Sequence, residues 1–411
     1  MTENQIELIK DIQETAFNLL KDLTNYNENE PGYGLTLDHN ETNVASIAAT
    51  GFLLSGYVIA VKYGYMSYEE ALDKVTKTLH TLAYNVPEYK GFFVHFVDFH
   101  QATISKKSEY STVDTMLCLC GVITVAEFFK EEMVQELSNL ILNRVDWLHF
   151  VHTHEGKQRF YMAYNPMKNG AYVQGKPGFI FQWHMLAEQI PMYLIAAGSN
   201  QLNKRLANDL YEGFERVLGT YKDVSYYISP GNTIFVYQYP LCWMDGKTWV
   251  DKFNFSWFEN LRLATIGHKL WNLDNYHLYK TFSKHTFGLT ASSTPTGYGV
   301  FHCLPNAFNE VITDGTVAPN GMIGSLITNS EDVIEAITYM KELPHVWGKY
   351  GFIDAYNFEG EKPWYSTRYI TIDKGLELLA ANAYLSKDVV ECFMNHPMIK
   401  KGLEVLEWKK I

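Results

Sequence analysis

The chain has 411 residues, 47% hydrophobic and 19% charged, which supplies a large core and leaves no segment polar enough to stay disordered. A formal charge of -12 at pH 7, with no cluster of Lys and Arg, argues against a nucleic-acid partner. The opening MTENQIELIKDIQETAF lacks the basic and apolar regions of a secretion signal, and no run reaches the roughly 18 uninterrupted apolar residues of a membrane span, so the expectation is a cytoplasmic protein without a membrane partner.

Apolar residues three and four apart predict helices in IELIKDIQETAFNLLKDL, VASIAATGFLLSGYVIAVKYG, SYEEALDKVTKTLHTL, STVDTMLCLCGVITVAEFF and EEMVQELSNLILNRVDWL. The pattern continues in KRLANDLYEGFERVLGTY, FSWFENLRLATIGHKLW, DNYHLYKTFSKHTF, SEDVIEAITYMKEL and IDKGLELLAANAYLSKDVVECFM. Two types alternate: 44–62, 111–129 and 185–198 are apolar and rich in small residues, while 67–82, 131–149 and 203–221 are amphipathic. A helix apolar all round is buried, and one with a charged face borders solvent. The alternation therefore predicts an all-α fold, an (α/α)6 toroid of inner and outer helices in one domain spanning 1–411.

The connections 83–110, 150–180, 222–253, 287–318 and 345–370 are long, aromatic and Gly-rich, and 222–253 has room for a short hairpin. Loops of that length in a compact domain are usually functional. The five Cys, at 118, 120, 242, 303 and 392, are too scattered to predict a disulfide framework or a zinc site, and the histidines lack metal-ligand spacing. No metal or other cofactor is implied.

Three acids stand where apolar helices begin. Asp114 in STVD sits three residues after the N-cap candidate Ser111, a spacing that also suits a purely structural capping box. Asp373 in YITIDKGLELL lies in a first turn, where the helix dipole favours a carboxylate. Pro191 suits a first turn as well and puts Glu188 at or just before the start of IPMYLIAAGS. Parallel inner helices would gather these acids at one mouth, walled by the aromatic loops. Two carboxyl groups across a sugar, one protonated and one ionised, are the apparatus of glycoside hydrolysis, and burial would raise Glu188 toward the acid role. Asp314, in TDGTVAPNG, reads instead as a turn residue bonded to its own backbone.

The segments TNVASIAATGFLLSGYVIAVKYGYMSYEEAL, YSTVDTMLCLCGVITVAEFF, FGLTASSTPTGY, DGTVAPNG, WGKYGFIDAYN and YITIDKGLELLAANAYLSKDVVECFMNHPMI, in this order, resemble the glucoamylase-like family that includes the endo-β-1,2-glucanases of glycoside hydrolase family 144. The resemblance is collinear over almost the whole chain and is shared with the glycosidase-like domain of cyclic β-1,2-glucan synthases. It implies an (α/α)6 barrel that hydrolyses β-1,2-linked gluco-oligosaccharides with inversion and without a metal. It also implies roles for Glu188, Asp114, Asp354 and Asp373, which match the family's YNEAM, STVDTALL, GFYDAFN and IDQGP motifs.

On this basis Glu188 is expected to be the general acid, with Asp373 as the first candidate base and Asp114 as the second. Tyr237, Trp243, Tyr298, Trp347, Tyr356 and Trp364 are expected to stack on sugar faces, with Asp354 also in the substrate site and His95 and Gln238 bonding hydroxyls. Lys374 beside Asp373 would either hold that carboxylate ionised or make a structural pair with it. The chain departs from the family at Lys374, Leu376, Asn382 and Leu385 and at Ser293, Thr294 and Thr296, where the family carries other residues, among them several acids. Chain rearrangement by transglycosylation, or sugar binding without turnover, are the alternative activities.

Overall fold

The computed structural model describes residues 2–105, 107–166 and 177–411, so part of the long 150–180 connection lies outside the described residues. The helices in chain order begin with α1 (Glu3–Asp22), α2 (Ile47–Tyr63), α3 (Tyr68–Tyr84), α4 (Thr112–Phe129), α5 (Glu132–Asn143), α6 (Ile190–Gly198) and α7 (Lys204–Gly213). They continue with α8 (Phe235–Gln238), α9 (Trp257–Asn275), α10 (Pro319–Ile323), α11 (Ser330–Glu342), α12 (Thr371–Leu385), α13 (Asp388–Asn395) and α14 (Pro397–Val405). Polar caps set the starts: the side chains of Ser46, Ser67, Ser111, Asn203 and Ser256 each accept the amide three residues on, at α2, α3, α4, α7 and α9. Gly64 ends α2 in the left-handed conformation, at φ 74°.

The apolar helices are the buried ones. α2 packs against α4 and α12, α12 against α1, and α6 against α14, whereas amphipathic α3 and α5 pair along one face each. Small residues allow the closest crossing. A Cβ on Gly51 would lie 2.5 Å from Cys118 backbone, and one on Gly121 would strike the Gly51 carbonyl, so α2 and α4 meet backbone to backbone. Gly198 and Gly402 play the same part between α6 and α14. Helix α4 has the length and hydropathy of a membrane span, but 78% of it is buried inside this core.

The described residues also contain many short strands, which corrects the all-α expectation. Lys157–Asn165 is the spine of the largest sheet, pairing antiparallel with Val151–His154 along its first half and with Tyr110–Ser111 and Gly178–Gln182 along its second. The expected amphipathic helix 203–221 stops at Gly213, because Val217–Tyr221 and Val224–Ile228 form a hairpin whose β-branched and aromatic residues suit a pleated surface. Residues 178–182 are a strand, so the apolar helix of that region begins only at Ile190. DNYHLYKTFSKHTF holds a single 3-10 turn after α9, and the last long helix breaks at Lys387, which takes φ 62° between α12 and α13.

The α2–α4 crossing leaves no room for a methyl group. Gly121→Ala should lower stability by about 1–3 kcal/mol, read as the shift of the urea-unfolding midpoint. An unchanged midpoint would show that the two helices separate without cost.

Candidate active site

A cavity of about 470 Å³ opens where the chain enters several of these helices. Its wall takes Asp38 and His39 from the segment before α2, Glu109, Ser111, Val113 and Asp114 from the start of α4, and Trp183 and Glu188 from the approach to α6. Phe235 and Tyr239 come from α8 and the turn after it, Tyr298 from the hairpin Ala291–Val300, and Arg368, Ile370 and Ile372 from the entry to α12. Its volume is within the range of about 300–1,000 Å³ typical of small-molecule sites.

Glu188 occupies the turn just before α6. Gln189 fixes that turn by accepting from the Ala187 amide at 2.8 Å and donating to the Met185 carbonyl at 3.0 Å, and Pro191 follows in the first turn of α6. Burial pushes the Glu188 carboxyl up to about 7, with the negative charge of Asp114 adding to the rise and its own backbone amide opposing it. Asp114 is held differently. Ser111 caps α4 and donates its hydroxyl to Asp114 Oδ2 at 2.5 Å, while Asp114 Oδ1 lies 3.4 Å from His95 Nε2.

His95 stands between two carboxylates, its Nδ1 2.8 Å from Glu109 Oε1. Burial alone would lower the imidazole, but Asp114, Glu109 and Asp38 outweigh it and bring it up to about 9. Burial raises Glu109, yet the hydrogen bond from His95 leaves it below the usual carboxylate range. Asp38 is raised by burial despite His39 and His95 nearby, and burial lowers His39. Ligand atoms of His95, Glu109 and Asp114 come within 4.8 Å of one another, a spacing close enough to hold a metal ion.

Asp373 and Asp354 are buried beside the cavity wall. Asp354 accepts from the Ser293 amide at 2.8 Å and the Ile370 amide at 3.4 Å. Asp373 is raised well above the usual range, first by burial and then by the charge of Asp354 and a hydrogen bond to it. Lys374 does not hold Asp373 ionised as the sequence suggested. Its ammonium donates to Glu377 at 2.5 Å and to the Phe352 carbonyl at 2.9 Å, because residues 374 and 377 are neighbours one turn apart while adjacent 373 and 374 point about 100° apart around the helix. Even so, burial lifts Glu377 to about 7.

Of the predicted site residues, Glu188, Asp114, His95 and Tyr298 share the cavity wall. Tyr298 is 57% exposed at its rim. Tyr237, Gln238, Trp243 and Tyr356 are core residues instead. Tyr237 donates to Asn232, Gln238 to Gly321 and Ser325, and Trp243 to Ser55, while Tyr356 is fully buried. Trp347 is half-buried on a hairpin with Phe352 under the Lys341 ammonium, and Trp364 pairs with Asn357, both off the cavity wall. Asp314 accepts from the Thr316 amide at 2.9 Å in its turn, as its sequence suggested. The sequence reading missed Asp38, Glu109 and Arg368. Glu109 and Arg368 stand just before buried α4 and α12, the same positional signal that singled out Glu188.

Residues 180–397, just over half of the chain, match the glycoamylase family, described as "Putative glucoamylase". The chain belongs to this family. Among curated relatives it is 21% identical to the exo-β-1,2-glucooligosaccharide sophorohydrolase (non-reducing end) of Parabacteroides distasonis, over 92% of this chain and 55% of that protein. The chain thus spans about half the length of that relative. Its fold is that of the endo-β-1,2-glucanase of Chitinophaga pinensis, solved with sophorotriose and glucose, at TM-score 0.84 and 20% identity over 99% of each chain. The β-1,2-glucanase of Parabacteroides distasonis matches at TM-score 0.82 and 19% identity, over 99% of this chain and 60% of that one.

The raised imidazole of His95 links this family member's stability to pH. Its value in the fold, about 9, exceeds its ordinary 6.5, so its stabilisation is complete below 6.5 and disappears as pH rises through 9. The unfolding free energies of the native chain and His95→Gln, measured by urea denaturation, should differ most at about pH 6 and converge by about pH 10. A pH-independent gap would contradict a charged His95.

Proposed function

We propose that this protein is a glycoside hydrolase acting on β-1,2-linked gluco-oligosaccharides with inversion, Glu188 serving as general acid and Asp114 as base. The observation that carries the reading is a carboxyl held near 7 by burial, sharing one cavity wall with a second carboxylate that has ion-pair and hydroxyl partners. The β-1,2 linkage is supported by the curated relative and by the solved structures that share the fold. The finer architecture we propose is an (α/α)6 toroid in a single domain, supported by buried α2, α4, α6 and α12 alternating with amphipathic α3, α5, α7 and α13.

In the reaction, Glu188 gives its proton to the glycosidic oxygen as the bond from C1 to that oxygen breaks. A water attacks C1 from the opposite face, its oxygen bonds to C1, and its proton passes to Asp114. The released sugar carries the inverted anomeric hydroxyl. Asp373 fits the base role less well, because a buried carboxyl raised beside Asp354 keeps its proton.

Glu188→Gln should lower kcat on sophorotriose by about 100-fold or more, yet spare an aryl glycoside whose leaving group needs no proton. Equal loss on both substrates would contradict the acid role. In the native enzyme kcat/KM should fall as pH rises through about 7, the value burial gives Glu188. Proton NMR of the first product should show the inverted anomer; retention would exclude an inverting pair and indicate transfer chemistry instead.

A further inference from the structure

We infer that His95 is a positioning residue: gripped by Glu109 at Nδ1, it sets Nε2 3.4 Å from Asp114 Oδ1 and holds that carboxylate in place for proton abstraction. The inference rests on the reading of Asp114 as the base. It replaces the expectation that His95 binds a sugar hydroxyl.

The backbone fixes His95 before its ring does anything. Its N–H donates to the Glu109 carbonyl at 2.8 Å, and its own carbonyl accepts the Ile47 amide at 3.2 Å, tying the ring to the entrances of both α4 and α2. The ring stacks on Phe96 with centroids 3.7 Å apart, leaving the side chain 25% exposed. Glu109 is only 4% exposed, and its carboxylate takes Nδ1 at 2.8 Å. Nε2 is thereby left to face Asp114 Oδ1 at 3.4 Å, while Ser111 holds Oδ2. An ionised carboxylate offers about four acceptor sites, so Asp114 can hold both partners and still take a proton from water. The charged groups facing the ring are Glu109, Asp114 and, from the segment before α2, Asp38. With acids on these sides, an imidazolium is the favoured partner.

The test begins with Asp114→Asn, which decides the base assignment by itself: undiminished turnover ends that reading before His95 is considered. His95→Gln should then lower kcat by about 10- to 100-fold with KM within about twofold, since a misaligned base costs rate. Glu109→Gln should weaken the grip on the imidazole. On an aryl glycoside with Glu188→Gln in the background, its alkaline limb should move down from about 9. Histidine-labelled NMR of the unmutated chain, which requires no variant to fold, should find both His95 ring nitrogens protonated at neutral pH. A raised KM with unchanged kcat in His95→Gln, an unmoved alkaline limb in Glu109→Gln, or a neutral His95 ring at pH 7, would overturn the inference.

Discussion

Carboxylates pressed together in a desolvated space are what the rest of this site must accommodate. Asp38, Glu109, Asp114 and Glu188 line one cavity and Asp373 and Asp354 lie beside it, with His95 and Arg368 as the cations on the wall. Repulsion and burial forbid all of them from being ionised at once, so the environment sorts them into those that keep a proton and those that release one. Glu188 and Asp373 fall on the protonated side, and Glu109 on the ionised side. The proposed chemistry needs that division, and here it follows from burial and from which carboxylate the imidazole reaches.

The acids come together because buried helices begin together. A helix apolar on every side, such as α2 or α4, has no solvent face, and only its ends can carry polar chemistry. Their exposed amides make those ends favourable to negative charge. Gly51 and Gly121 bring α2 and α4 into backbone contact, and the segments entering the two helices therefore stand close enough for His95, fixed between Glu109 and Ile47, to bridge them. Tight packing in the core thus sets the geometry at the mouth.

Much of this was legible in the sequence, because caps and periodicity act locally. Ser111 and Pro191 marked the helix starts that place Asp114 and Glu188, and the alternation of apolar and amphipathic segments marked which helices are buried. Most strands were not legible: the hairpin expected within 222–253 takes only its second strand from there, and the run VLGTYKDVSYYI satisfies a helical window until it pairs. Aromatic residues misled for a different reason. The same ring that stacks on a sugar also fills a core, and Trp243 and Tyr356 were needed there, whereas Tyr298 projects from a hairpin over the cavity. Lys374 shows the limit of adjacency: neighbours in sequence diverge around a helix, so its partner is Glu377 and Asp373 is left with Asp354.

The central claim is that burial keeps Glu188 protonated near neutrality while it remains on the cavity wall. Carbon-13 NMR of the Glu188 side-chain carboxyl, assigned by its absence in Glu188→Gln and followed across pH, measures this without substrate. A midpoint near 7 is the predicted result. A midpoint at the ordinary value of 4.5 would contradict the account, because a carboxyl already ionised has no proton to give the leaving sugar.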